Sequence, residues 1–148
     1  MFAALYAMSI PSKSDWGYID KNDIELQYTF DMFFGMTEQQ AWKLCQSHAD
    51  NYQEELQSMP KIPFNFYAPI LCKYIVSDKA RGDSDGASCF IDMVAWVLKT
   101  QAIKIENETR ELLINSARFV SSNQDFYDAD ADIYGYFREK FNEVEKCI

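Results

Sequence analysis

The chain has 148 residues, with 23 acidic and 14 basic side chains and a formal net charge of −9. Apolar residues make up 48% of the sequence, and five glycines and four prolines are too few for a disordered or collagen-like chain. At this length the chain can bury one self-sufficient core, so we expect residues 1–148 to form a single domain. The acidic balance argues against direct binding to nucleic acid or to an anionic membrane surface, because both require a basic footprint.

The cysteine spacing bears on the compartment. Four cysteines, at positions 45, 72, 89 and 147, form no short-spaced pair. Such spacing is not typical of a secreted protein held together by disulfide bonds, so we expect reduced thiols in a cytoplasmic protein. The apolar amino-terminal stretch lacks the basic start of a signal peptide, and no apolar run approaches the ~20 residues that span a bilayer.

The amino-terminal part of the chain shows the two-residue period of β-strands. Over residues 24–32, apolar side chains alternate with polar ones, which is typical of a half-buried strand. A weaker alternation over residues 2–10 predicts another strand, and residues 16–19 predict a short extended piece before a turn. We therefore expect a small antiparallel β-meander, with a helix over residues 22–34 as the alternative.

After residue 35 the apolar period becomes that of a helix. Thr37 and Gln40 have the spacing of a capping box, and the helix that they begin is expected to bury Cys45 and His48 and to stop at Pro60. A second helix is predicted after Pro63 or Pro69, because a proline deep inside a helix removes a backbone hydrogen bond.

Three more helices are predicted in the carboxyl-terminal half. Residues 87–98 are apolar almost all round and predict a central helix, Asn107 can cap the next one, and the last one is expected from about residue 128. The apolar stripe of the last helix comprises Ile133, Phe137, Phe141, Val144 and Ile148. The predicted fold is α+β and mostly helical, a β-meander followed by about five helices, and an all-α fold is the alternative.

The acidic run over residues 125–132 is the most specific local feature. Counting Asp128 as position 1 of a twelve-residue calcium loop places carboxylates at positions 1, 3, 5 and 12, the last being Glu139. The glycine that such a loop requires at position 6 is replaced by Ile133. The aspartates are therefore better explained as caps of the last helix, which require no ion.

Other residues that could bind a metal or act as nucleophiles have simpler structural explanations. Residues 81–92 match the calcium pattern only in part, since Arg81 takes the first ligand position, and a turn before a helix explains them better. Cys45 and His48 lie three residues apart on one predicted face, where core packing is the expected role rather than metal binding or nucleophilic chemistry. Asp92 lies within an apolar helix and needs a partner there.

One pair of motifs suggests an enzyme. Glu108-x-x-Glu111 and Asp125-x-x-Asp128 resemble the paired carboxylates with which all-helical nucleotide pyrophosphatases hold magnesium. The resemblance implies a metal-dependent nucleotide hydrolase as an alternative function, although aspartates stand where the family's second motif has glutamate. The chain carries one histidine and no phosphate-binding glycine loop, so we expect no catalytic site.

The remaining interpretation is a module that binds a basic partner. Residues 123–148 carry seven acidic and three basic side chains, and residues 14–31 carry five and one, with aromatic residues among the carboxylates. Carboxylates steer association and aromatic side chains anchor it once water is excluded. Small acidic proteins of this kind include immunity proteins that neutralise cationic toxins, particularly nucleases, while DNA-mimic or anti-defence inhibitors have the same composition.

We therefore predict a non-enzymatic immunity protein or inhibitor that needs no cofactor or metal. Its expected partner is a basic protein such as a toxin domain, and calcium binding and nucleotide hydrolysis are the alternatives. The predicted partner-binding residues are Asp125, Tyr127, Asp128, Asp130, Asp132, Tyr134, Tyr136, Trp16, Asp20 and Asp23.

Overall fold

The structure is a computed structural model that describes residues 9–148. Within these residues the chain is all-α, with eight α-helices and no strand. The helices are α1 (Lys13–Trp16), α2 (Ile24–Phe33), α3 (Glu38–Leu56), α4 (Lys61–Ile75), α5 (Ser84–Thr100), α6 (Asn107–Ser121), α7 (Ala131–Tyr134) and α8 (Phe137–Glu145), with short 3-10 helices at Asp78–Ala80 and Gln124–Tyr127. The predicted β-meander is therefore wrong. The first of its strands, over residues 2–10, falls almost entirely outside the described residues.

Residues 24–33 form α2 rather than a strand, and Asp23 caps the helix. The Asp23 carboxylate accepts the amide hydrogen of Leu26 at 3.0 Å, which satisfies one of the unpaired donors of the first turn. The helix buries one face and leaves Ile24 and Tyr28 exposed on the other. Apolar side chains on both faces of a helix had produced the alternating pattern.

An extended piece was predicted over residues 16–19, but Trp16 is the last residue of α1. Ser12 and Asp15 form a capping box, in which each side chain accepts the other residue's amide hydrogen. The helix ends at Gly17, whose φ of +73° lies in the region that favours glycine. Trp16 is buried and packs perpendicular to Phe30, with ring centroids 5.4 Å apart.

The capping box predicted at the start of α3 is confirmed. Thr37 Oγ1 accepts the Gln40 amide at 3.1 Å, and Gln40 Oε1 accepts the Thr37 amide at 2.9 Å. The helix breaks at His48, where φ is −149° and ψ is 62°. His48 is exposed, so its predicted place on the buried stripe is wrong, whereas Cys45 is fully buried as predicted.

The central helix is α4, in which eleven of fifteen residues are buried. Pro69 lies inside this helix, contrary to prediction, and burial of the surrounding side chains offsets the missing hydrogen bond. The hydroxyl of Tyr67 lies 3.0 and 2.8 Å from the carbonyl oxygens of Phe33 and Met36, which share its single proton, and the hydroxyl of Tyr52 donates to the carbonyl of Tyr67 at 2.7 Å. These buried tyrosines tie α2 and α3 to α4.

Helix α5 is less central than its apolar sequence predicts. It leaves an exposed stripe that includes Cys89, Asp92 and Trp96. The ammonium group of Lys140, on α8, donates to Asp92 and to Ser88 Oγ, both at 2.9 Å. Asp92 is therefore a surface carboxylate that pairs with a lysine, which accounts for its presence in an apolar helix.

The last predicted helix is divided into α7 and α8. Gly135, with φ of +75°, ends α7, and α8 begins two residues later. Phe137, Phe141 and Val144 are buried, as the apolar stripe predicts, but Ile133 lies on α7 and is 74% exposed. Within residues 9–148, no helix combines the length and the apolar character that a membrane span requires.

Candidate functional site: an acidic face

Two acidic segments that are far apart in the sequence lie side by side. The Gly82 amide donates to the Phe126 carbonyl at 3.0 Å. A Cβ atom on Gly82 would lie 3.3 Å from Asp128 Oδ2, so the two chains are in close contact there. The Tyr134 hydroxyl donates to Asp85 Oδ1 at 2.5 Å. The turn before α5 and the segment that includes α7 therefore form one surface.

We call this surface, residues 81–85 and 124–136, the acidic face. It contains six aspartates and one arginine, a net charge of −5 within a chain whose net charge is −9. The arginine, Arg81, is engaged within the protein: its guanidinium lies over the Phe126 ring at 4.5 Å and 3.9 Å from an oxygen of Asp78. More than half of the net charge of the chain is therefore concentrated on two adjoining segments.

Gln124 determines the backbone path of the longer segment of the acidic face, residues 124–136. Its amide nitrogen donates to the carbonyls of Ala129 and Gly135 at 3.0 and 2.8 Å, and its Oε1 atom accepts the Phe137 amide at 2.9 Å. One side chain thus satisfies backbone groups at three places along the segment. We infer that the backbone of the acidic face has a defined conformation before any partner binds.

Two tyrosines attach the acidic face to the carboxyl-terminal end of α4. Tyr127 is fully buried, and its hydroxyl donates to the carbonyl of Ile75 at 2.6 Å. The hydroxyl of Tyr74 donates to Asp83 at 2.8 Å, and Asp83 also caps α5 by accepting the Gly86 amide at 2.9 Å. Burial raises the pKa of both tyrosines, and for Tyr74 the hydrogen bond to Asp83 raises it further.

A groove of about 660 Å³ crosses the acidic face. Asp125, Asp130 and Tyr136 line it together with Arg138 of α8. Tyr136 is 62% exposed, so its ring is available for packing against a partner. The groove offers carboxylates and an aromatic ring within one concave surface.

The structure brings together six of the ten residues predicted to bind a partner. Five of them are exposed on the acidic face, namely Asp125, Asp128, Asp130, Asp132 and Tyr136. Tyr134 is half-buried, and its hydroxyl also lies 3.0 Å from Ser84 Oγ. The hydrogen bond to Asp85 is the main reason that the pKa of Tyr134 is raised.

The other four predicted residues are not exposed on the acidic face. Trp16 and Tyr127 are buried, so they contribute to the core and are withdrawn from the predicted binding set. Asp20 and Asp23 are exposed next to α2, where Asp23 caps the helix and Asp20 accepts the Asn22 amide at 2.9 Å. They belong to a different surface from the acidic face.

Asp83, Asp85 and Gln124 belong to this site but are not among the residues predicted to bind a partner. Residues 81–92 were predicted to be a turn before a helix, but the turn ends at Asp83, because α5 already begins at Ser84. The two acidic segments are separated by about forty residues that form two long helices. The negative charge common to both segments was the one available signal, and charge alone does not predict contact.

The acidic run does not have the shape of a calcium loop. Positions 128–139 include α7 and the first residues of α8, and residues 84–92 are likewise helical, so neither segment is a loop that could wrap an ion. Asp130 accepts the Asp132 amide at 2.9 Å and caps α7, the first part of the predicted last helix, as the preferred capping interpretation predicts. Across residues 9–148, no three histidine, cysteine or acidic side chains come together as metal ligands.

The paired carboxylates that resemble a pyrophosphatase motif do not converge. Glu108 and Glu111 lie near the start of α6, whereas Asp125 and Asp128 follow its end. Glu111 and Ser121 are ten positions apart on this helix, which separates them by about 15 Å along the helix axis. These two pairs cannot share a metal ion in this fold.

Cys45 and His48 do not form the metal-binding or thiolate pair that was weighed against core packing, because one side chain is buried and the other is exposed. All four cysteines are free thiols. Burial raises the pKa of Cys45 well above its ordinary value and that of Cys72 to about 12. Both groups therefore remain protonated, which suits packing rather than nucleophilic chemistry.

Comparisons of the chain with protein-family models, with curated proteins and with solved structures find no match. The chemistry of the acidic face is therefore the basis for a functional proposal.

Proposed function

We propose that this protein is a binding module whose acidic face docks a basic surface of a partner protein. The adjacency of the two acidic segments supports this most directly, because it concentrates a net charge of −5 on a surface with a defined backbone. Clustered charge of one sign accelerates association with an oppositely charged partner. Exposed Ile133 and Tyr136 on the same face offer apolar anchors that strengthen the complex once water is excluded.

Within this class we propose an inhibitor of the immunity type, which covers the basic surface of a cationic toxin such as a nuclease. A cytoplasmic location and a non-enzymatic role belong to the same proposal. A DNA-mimic or anti-defence inhibitor uses the same surface chemistry and differs in having several basic partners. The number of partners captured therefore distinguishes these two forms.

The proposal is tested by affinity capture from native lysate at low salt, followed by a salt gradient and mass spectrometry. We expect a basic protein that elutes at moderate to high salt. The double variant Asp125→Asn/Asp132→Asn removes two charges from the acidic face without removing a cap. Glu108→Gln/Glu111→Gln removes two exposed charges from α6 and serves as the matched control.

The kinetics of the captured complex provide the decisive comparison. The acidic-face variant is expected to associate several-fold more slowly at low salt, with little change in dissociation, because its charges act mainly during diffusional encounter. The α6 control is expected to associate at nearly the wild-type rate. Equal association rates for the two variants would show that the acidic face does not contact the partner.

A further inference from the structure

The outer face of α2 carries a second exposed surface, whose chemistry differs from that of the acidic face. Tyr18, Ile24 and Tyr28 are 87%, 76% and 54% exposed. Together they expose on the order of 400 Å² of side chain, which matches the largest patch on a typical monomer and is often functional. We call these three residues the α2 patch.

Ile24 and Tyr28 share one face of α2, and Tyr18 borders the groove beside that helix. Ile24 and Tyr28 are one helical turn apart, on the face of α2 opposite the buried residues. A groove of about 450 Å³ adjoins this face, and Tyr18 and Lys13 line it together with Gln27, Phe30 and Asp31 of α2. The α2 patch therefore combines a projecting apolar ridge with a concave edge.

Carboxylates surround the α2 patch. Asp20, Asp23, Glu25 and Asp31 are exposed around it, against two exposed basic residues, Lys13, which lines the groove, and Lys21. An apolar centre with a charged rim is the usual anatomy of a protein interface. The negative charge of the rim favours a basic partner, because it would repel an acidic one.

The acidic rim argues against two possible occupants of the α2 patch. In a two-fold dimer the same patch of both copies meets, which would bring the two acidic rims together. An anionic membrane would repel the rim as well. A protein surface with apolar side chains flanked by lysine or arginine satisfies both the centre and the rim.

We propose that the α2 patch docks the apolar face of a basic amphipathic helix from another protein. In this mode of recognition, apolar side chains one turn apart on the ligand helix enter a groove while its charged side chains face the rim. The proposal does not depend on the acidic face, which adjoins the carboxyl-terminal end of α4. Helix α2 instead packs through Phe33 on Tyr52 of α3 and Tyr67 in the middle of α4.

The probe for this proposal is a synthetic helical peptide with leucine and tryptophan on one face and lysine on the other. A peptide of the same composition in scrambled order has the same charge but no apolar face. In fluorescence anisotropy at physiological salt, we expect the protein to bind the amphipathic peptide at least about tenfold more tightly than the scrambled one, a difference of about 1.4 kcal/mol.

The variants locate the binding site. Ile24→Ser/Tyr28→Ser is expected to weaken binding of the amphipathic peptide about tenfold, because both apolar anchors are lost. Ile148→Ser, at a position that is 65% exposed and outside the α2 patch, is the control and is expected to bind as the wild type does. Because all three positions are exposed, circular dichroism is expected to show unchanged helix content for both variants.

Four results would overturn the proposal. Equal binding of the scrambled peptide would show that charge alone drives association, and equal binding by the double variant would place the site elsewhere. Sedimentation of the wild-type protein as a dimer that Ile24→Ser/Tyr28→Ser abolishes would identify a second copy as the occupant. Amide shifts on adding peptide are expected within residues 18–31, and shifts confined to the acidic face would support the proposed function but not the α2 patch.

Discussion

The hydroxyl of Tyr134 lies 2.5 Å from Asp85 Oδ1 and connects two residues that are 49 positions apart. Asp85 belongs to the first turn of α5, and Tyr134 is the last residue of α7. Their hydrogen bond holds the two halves of the acidic face together at its exposed side. It also makes the titration of Tyr134 a reporter of that contact.

Replacing Asp85 by asparagine is expected to lower the pKa of Tyr134 toward its ordinary value. The hydrogen bond to Asp85 is the largest cause of the raised pKa, and the charge of the same carboxylate adds to it. Nuclear magnetic resonance of the tyrosine ring carbons during a pH titration measures the change. Asp125→Asn, which removes a different carboxylate from the same face, is expected to leave this titration nearly unchanged. If Asp85→Asn has no effect either, the contact is not made in solution.

Gln124→Ala is expected to lower the free energy of unfolding by about 2 kcal/mol, because it removes three hydrogen bonds to backbone groups. Gln124→Glu keeps the acceptor for Phe137 but directs a carboxylate at two carbonyl oxygens, so it is expected to destabilise the protein as well. Urea denaturation measures both variants against Gln39→Ala at an exposed position of α3. If Gln124→Ala lowered the free energy of unfolding no more than Gln39→Ala does, the three hydrogen bonds of Gln124 would not stabilise the fold.

Gly135→Ala is expected to cost about 1–3 kcal/mol of stability because of its backbone conformation. Gly135 has φ of 75° and ψ of 178°, and a Cβ atom there would meet no other atom within 4 Å. The cost is therefore conformational and not steric. D-alanine at this position, introduced by semisynthesis, adopts these angles readily and is expected to restore the stability. Equal losses for both enantiomers would refute this explanation.

Unfolding at alkaline pH is expected to accompany ionisation of the buried tyrosines. Burial raises the pKa of Tyr67 to about 12, and it also raises those of Tyr52, Tyr74 and Tyr127. A raised folded-state pKa contributes stability that is complete below the unfolded-state value of about 10 and is lost as the pH rises through the folded-state value. Phenolate absorbance of these four residues is expected to appear together with the loss of helical circular dichroism between about pH 10 and 12. Ionisation of all nine tyrosines with the helices intact would contradict this prediction.

The parts of the fold that local chemistry determines were predictable. The capping box of Thr37 and Gln40 and the buried face of α8 depend on residues three or four positions apart, and both are present. Helix α2 was predicted as a strand because Ile24 and Tyr28 are apolar but exposed, which disguised the helical period. The place of Pro69 within α4 depends on packing against several helices, which no local pattern contains.

The acidic face was predictable only in part. The carboxylates of residues 125–132 were identified as a group because they are consecutive in the sequence. Trp16 and Tyr127 were assigned to the surface because they adjoin charged residues, yet both side chains face the core. The contact of this run with Asp85 depends on how α5 packs beside α7, so it required the tertiary structure.

The longer segment of the acidic face divides its tasks between inward and outward side chains. Gln124 and Tyr127 make the contacts that hold its backbone, whereas the side chains of Asp125 and Asp132 are exposed. Substitutions at the outward positions can therefore change what the surface recognises while the segment keeps its shape. A chain built in this way can acquire a new binding specificity by mutation without first losing stability, since recognition and folding are carried by different residues.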